Sequence, residues 1–107
     1  MNNDVKIIME RINKLFKRAP HTLYHIQCTK NIYDEQFNFF FIIQPKGRRQ
    51  HSIPLHTIDQ YTLEYLQLVI KLLRKQTQLS IEYIGFTEKD YWPNSFDVIQ
   101  KKKRWDE

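Results

Sequence analysis

Apolar residues first recur with a period of about 3.6. Val5, Ile8, Met9, Ile12, Leu15 and Phe16 fall on one stripe, which predicts an amphipathic helix with Asn2, Asn3 and Asp4 as candidate N-caps and Pro20 as the stop. The opposite face carries Lys6, Glu10, Arg11, Lys14, Lys17 and Arg18, with Glu10 and Lys14 in the favourable i,i+4 order. From Thr22 to Leu55 the period falls to two and β-forming residues dominate. Tyr24, Ile26 and Cys28 share one face of a first strand, and Tyr33-Asp34-Glu35 forms the following turn. In the second strand Phe37, Phe39, Phe41 and Ile43 lie on one face and Phe40 and Ile42 on the other, so both faces call for cover. Gln44-Pro45-Lys46-Gly47 predicts a tight turn, with proline presetting φ and glycine in fourth place, into a third strand Arg49 to Leu55. Pro54 lacks an N–H, which ends that strand or confines it to a sheet edge.

Asp59 is the expected cap of a second helix running to about Gln78. Its apolar set is wide (Tyr61, Leu63, Tyr65, Leu66, Leu68, Val69, Ile70, Leu72 and Leu73), more than one sheet face normally covers. The cover is expected from the first helix, the C-terminal segment or another chain. Leu79, Ile81 and Tyr83 predict a fourth strand bent or ended by Gly85. Asn94 or Ser95 caps a short final helix containing Phe96 and Ile99. The expected order is α-β-β-β-α-β-α, an α+β two-layer sandwich with an antiparallel three- to four-stranded sheet and helices packed on it. The first five elements follow the order of a double-stranded RNA-binding domain. That family grips phosphates with a Gly/Lys-rich start to its second helix, whereas this helix begins Asp59-Gln60-Tyr61-Thr62 without a base, so no family is assigned.

A length of 107 residues allows one domain with one core. Residues 94–107 form a basic C-terminal segment that is expected to be mobile. With 41% hydrophobic and 14% aromatic residues, the chain has enough apolar surface to offset the entropy of ordering. Its two glycines exclude phosphate-cradling loops of the Walker or dinucleotide type, which need several within a few residues. The single cysteine, Cys28, excludes an internal disulfide and suits a reducing compartment. Met1 to Arg18 has no continuous apolar run of the secretory kind, and the charge-free run Gln36 to Pro45 is half of what a membrane helix requires. A cytoplasmic protein without membrane contact is expected.

Charge changes the picture most. The formal net charge is +5, and most of the 17 Lys and Arg residues fall in four clusters without an internal acid. These are Lys14, Lys17 and Arg18; Lys46, Arg48 and Arg49; Lys71, Arg74 and Lys75; and Lys101, Lys102, Lys103 and Arg104. The first and third sit at helix C-terminal ends, where the macrodipole favours cations with or without a partner. The second sits at a hairpin tip with no such structural reason, and suits a nucleic-acid groove or an acidic protein. Tyr91 and Trp92 beyond Lys89, and Trp105 beyond Arg104, place rings beside cations, as single-stranded nucleic acid requires for stacking.

Catalytic and metal chemistry find less support. His21 and His25 share a strand face, but Cys28 lies opposite, and His51 and His56 differ in parity, so no metal set forms. Ser52, Ser80 and Ser95 lack elbow glycines, and His25 and Cys28 point apart. No catalytic residue, metal or cofactor is expected. The sequence predicts a small non-enzymatic nucleic-acid-binding or accessory protein of a replication, transcription or mobile-element system. Lys46, Arg48, Arg49, Lys101 to Arg104, Tyr91 and Trp92 are its contacts. The alternative is a protein-interaction module, an accessory subunit or inhibitor of a larger enzyme. It would dock through helix 61–77 with Tyr61, Tyr65, Leu68 and Leu72, and the excess apolar surface fits a homodimer or a larger protein partner.

Overall fold

A computed structural model describes residues 2–17, 19–87, 90–93 and 99. Helix α1 spans Asn3–Leu15. The Asn2 side chain accepts from the backbone N–H groups of Asp4 (2.9 Å) and Val5 (3.1 Å), satisfying donors that a helix start leaves open. The helix stops at Leu15, short of Pro20. Phe16 adopts extended backbone and its ring lies 4.6 Å from that of Tyr24 and 6.0 Å from that of Phe41, so side-chain packing ends the helix before proline can.

Strands β1 (Thr22–Asn31), β2 (Gln36–Pro45) and β3 (His51–Ile58) form an antiparallel meander. Opposite Ile26 stands Phe41, and opposite Cys28 stands Phe39. With a side-chain period of two, this register collects Ile26, Cys28, Phe37, Phe39 and Phe41 on one face, all buried. On β3, Ile53 and Ile58 differ in parity and would face opposite sides of a regular strand. A bulge between Phe39 and Phe40 makes Leu55 an extra residue and brings Ile53, His56 and Ile58 to the same inner face. The Arg11 guanidinium donates to the Leu55 carbonyl there. Pro54 sits in the bulged edge strand, where a missing N–H is tolerated.

The hairpin turn is displaced by one residue from the expected Gln44–Gly47. Arg48 N–H donates to the Pro45 carbonyl (3.2 Å), and Gly47, at φ +72°, fills the third position, which in a type II turn demands the left-handed region. Helix α2 spans Leu63–Gln76, with Thr62 as its cap in place of Asp59. Asp59 instead accepts from the Gln36 side chain (2.8 Å), and the Thr62 hydroxyl accepts from Tyr65 N–H.

The sheet is mixed, in the order β3-β2-β1-β4, which corrects the expected all-antiparallel arrangement. Strand β4, Ile81–Ile84, pairs parallel with β1. In the meander β1 and β3 point the same way. Helix α2 returns the chain after β3, so the next strand repeats the direction of β3 and therefore of β1. The observed order is α-β-β-β-α-β; the expected final helix lies outside the described residues.

Both helices pack on the inner face, giving the two layers expected of an α+β sandwich. Val5, Ile8 and Ile12 from α1 meet Leu66, Val69, Ile70 and Leu73 from α2 over the phenylalanines. The start of α1 is tied down by polar bonds. Asp4 accepts from His56 Nε2 at 2.6 Å and from the Tyr65 hydroxyl, and Asn2 Nδ2 donates to that hydroxyl at 2.9 Å. Burial opposes the charge on Asp4, but the bonds from Tyr65 and His56 outweigh it and hold its pKa below the usual carboxylate value.

Two tests follow from these contacts. A Cβ on Gly85 (φ +86°) would lie 2.7 Å from the Lys30 carbonyl oxygen, whereas one on Gly47 would meet open space. In urea unfolding, Gly47→Ala is expected to cost about 1 kcal/mol for its backbone alone and Gly85→Ala distinctly more; the reverse order would contradict the described turn at Gly85. Because the folded pKa of Asp4 is depressed, its contribution is present above the unfolded value and lost as pH falls through the folded one. Asp4→Asn should therefore be less stable than the native chain at pH 7, with the gap closing in acid. A gap independent of pH would exclude the carboxylate bonds as its source.

Candidate nucleic-acid interface

The register fixes which charges share an end of the molecule. Thr22 stands opposite Pro45 and Ile43 opposite His51, so the start of β1 and the β2–β3 turn lie at one end of the sheet. The Lys46 N–H donates to the His21 carbonyl at 2.8 Å, locking that turn to the segment before β1. Helix α1 starts beside His56 and ends where Phe16 meets Tyr24. Helix α2 starts with the Tyr61 ring on Phe37 (5.1 Å) and ends before Ser80, whose carbonyl accepts from Ile26 N–H. Both helices therefore run toward the hairpin tip. Their last-turn bases, Lys14 on α1 and Lys75 on α2, sit at the helix ends on that side, with Lys17 following α1, whereas Arg74 donates to the Tyr83 hydroxyl at 3.4 Å beside mid-sheet.

Most of the described acids gather at the other end. Asp34 and Glu35 lie in the β1–β2 turn, Asp59 follows β3, and Asp4 and Glu64 occupy the first turns of the helices. Asp90 joins them through Lys30, at 2.9 Å. Hydrogen bonds from Lys30 and from Thr87 outweigh the burial that opposes its charge and hold the Asp90 carboxyl below its usual pKa. Lys30 also lies 5.9 Å from the centre of the Tyr61 ring. By contrast, Lys46, Arg48 and Arg49 are exposed and form no ion pair with a described residue.

Between the tip and the start of β1 lies an open groove of about 630 Å³, lined by His21, Thr22, Leu23, Gln44, Pro45, Lys46, Gly47 and Arg48. Leu23 is 72% exposed in it, so cationic side chains stand around an uncovered apolar floor. By strand parity Leu23 shares the sheet face away from the helices with His25 and Gln27. On that face Gln27 donates to Glu82 at 2.9 Å, while His25 Nε2 lies 3.5 Å from the same carboxylate and is buried without a hydrogen-bond partner. Sequence reasoning weighed His21 only as a metal ligand and missed Leu23, because the strand register alone brings them to the tip.

The other expected contacts are dispersed. Tyr91 is exposed and Trp92 half-buried, its ring edge-on to Tyr83 at 5.6 Å. Both follow Asp90 and so lie toward the acidic end, away from the tip cations. Lys101, Lys102, Lys103, Arg104 and Trp105 lie outside the described residues. Of the expected docking residues on α2, Tyr61, Tyr65 and Leu72 pack against the core, whereas Leu68 is 46% exposed. Helix α1 covers part of the apolar width of α2.

Cys28 lies buried against the helices and burial pushes its thiol pKa well up, which suits a packing role. Among the described residues, no three His, Cys, Asp or Glu side chains gather in a metal-binding group, and no helix is long and apolar enough to cross a membrane. No protein-family model, curated protein or solved structure matches the chain.

Because the tip cations form no ion pair with a described residue, single replacements of Lys46, Arg48 or Arg49 by Gln are expected to change unfolding free energy by less than about 0.5 kcal/mol. Lys30→Gln, which removes the cation from a largely buried Asp90 carboxylate and leaves it only the Thr87 bonds, should cost about 1–3 kcal/mol. Equal losses at both sites would show that the tip cations have structural partners.

Proposed function

We propose that the chain is a small non-enzymatic nucleic-acid-binding accessory protein that grips phosphates with its basic end. One observation carries the reading. The exposed cations of the β2–β3 tip share the side of the molecule on which both helices end, while most of the described acids lie on the other. Helix dipoles account for Lys14, Arg74 and Lys75, each such charge being worth roughly 0.3–1 kcal/mol. No comparable stabilisation explains Lys46, Arg48 and Arg49, so the placement of these three is the feature that asks for a ligand. A polyanion supplies many acceptors at once, and neutralising phosphates releases counterions. The run Lys101 to Arg104 adds further cations to the same reading.

The groove floor favours a partner with apolar as well as charged surface, which the sugar and base edges of a nucleic acid provide. Docking of a larger protein through α2 is less favoured, because Tyr61, Tyr65 and Leu72 already serve the core.

Binding to mixed-sequence DNA and RNA should weaken steeply with salt, the slope of log affinity against log salt being about −3 or steeper. In the combined variant Lys46→Gln, Arg48→Gln, Arg49→Gln, that slope should flatten by about 1 for each phosphate no longer neutralised. Absence of binding to either nucleic acid at low salt would overturn the proposal.

A further inference from the structure

Resting on that phosphate-binding reading, we infer that the groove beside the β2–β3 tip lodges one unpaired nucleotide, so that the preferred ligand is single-stranded nucleic acid. The size of the groove, its lining and the charge around it all point to that occupant.

Strand β1 runs flush with the tip, since Thr22 pairs with Pro45 and the Lys46 N–H donates to the His21 carbonyl at 2.8 Å. The tip is therefore one rim of the groove and not a free ribbon. His21 (φ +55°) and Gly47 (φ +72°) hold left-handed backbone on either side of that bond. Both rims are thus set before a ligand arrives, which lowers the cost of ordering on binding. The groove volume of about 630 Å³ falls in the range of roughly 300–1,000 Å³ that encloses a small organic ligand. A single nucleotide is of that size. A base pair within a duplex cannot enter, because its faces are covered by its stacked neighbours.

Leu23 and Gln44 stand opposite each other on β1 and β2, so their side chains share one face of the sheet. Leu23 is 72% exposed, and Gln44 is exposed beside it. An uncovered leucine gains from contact with an apolar surface, and the face of an unpaired base offers one. The Gln44 amide, donor and acceptor at once, can bond to the edge of that base. His21 and Arg48 line the same groove with an imidazole and a guanidinium, both flat groups on which unpaired bases stack. Lys46 and Arg48 supply positive charge for the phosphate. The described rings near this end are committed to the fold, since Phe16, Tyr24 and Phe41 pack on one another with centroids 4.6–6.0 Å apart. Leu23 therefore serves as the floor on which the base rests.

Glu82 sets the far limit of the site. On the same sheet face, its carboxylate accepts from Gln27 at 2.9 Å and lies 3.5 Å from His25 Nε2. A phosphate carried past Leu23 toward His25 would meet a like charge. The strand accordingly enters and leaves on the cationic side, with one base turned in.

The test is a fluorescence-anisotropy titration of the full chain at low salt against labelled probes of equal length. The probes are a mixed-sequence DNA strand, an RNA strand of the same sequence, the DNA duplex, and an abasic DNA strand that keeps its phosphates but carries no bases. The tighter-bound of the DNA and RNA strands names the source of the nucleotide. That strand is expected to bind about tenfold tighter than the abasic strand, as one stacked base provides, and tighter than the duplex. Leu23→Ser, checked for native circular dichroism, should abolish most of this tenfold difference while leaving abasic-strand binding unchanged. Equal affinity for the abasic strand, equal or tighter binding of the duplex, or an unaffected Leu23→Ser variant would each overturn the nucleotide site while leaving phosphate binding in place. Failure of every probe to bind would instead overturn the proposed function itself.

Discussion

The pairing of β1 with β2 sets the terms for everything else in this fold. Once Ile26 stands opposite Phe41 and Cys28 opposite Phe39, a slip of one residue would carry the phenylalanines of β2 to the other face of the sheet. Each buried aromatic or aliphatic side chain contributes roughly 1.5–3 kcal/mol, so the register is strongly preferred. The loaded face has to be covered, and α1 and α2 do so together. The β3 bulge extends the same logic: without its extra residue, Ile53 and Ile58 would face opposite sides. His56 is carried to the inner face by that bulge, and there it meets Asp4.

Charge asymmetry follows from this packing. Each helix begins with an acid and ends with a base, an arrangement that its own dipole favours. In isolation these choices are local and modest. Because both helices run toward the hairpin tip, the local preferences add into a molecular separation of charge. The tip then joins three cations that no dipole requires. Long-range attraction of an anionic partner depends on such a summed field more than on any single contact.

Several misreadings share one cause, competition from a distant partner. Asp59 had the right chemistry for a helix cap, but Gln36 across the sheet edge engages it and Thr62 serves instead. Pro20 had the right chemistry for a helix stop, but Phe16 leaves the helix earlier to join Tyr24 and Phe41. The width of the apolar face on α2 was legible, and so was the need for a cover. Which cover it would take was not legible; among the described residues Val5, Ile8 and Ile12 of α1 share its core, and so does Ile99. The separation of Tyr91 and Trp92 from the tip cations was hidden as well, since nearness in sequence to Lys89 says nothing about where the sheet carries them.

What the sequence determined by itself was local. Periods of about 3.6 and two marked the helices and strands, the alternation along β2 named the core phenylalanines, and the turn residues located a basic hairpin. Those features depend on neighbours a few positions away, where sequence spacing and spatial spacing agree. Tertiary structure decided the parallel pairing of β4, the Asp4–His56–Tyr65 cluster, the groove between His21 and Arg48, and the common direction of the two helices toward the basic hairpin. Each of these joins residues on separate elements, and their distance is set by how helices cross and cover a sheet. The charge of +5 was legible from composition; its concentration at one pole required the fold.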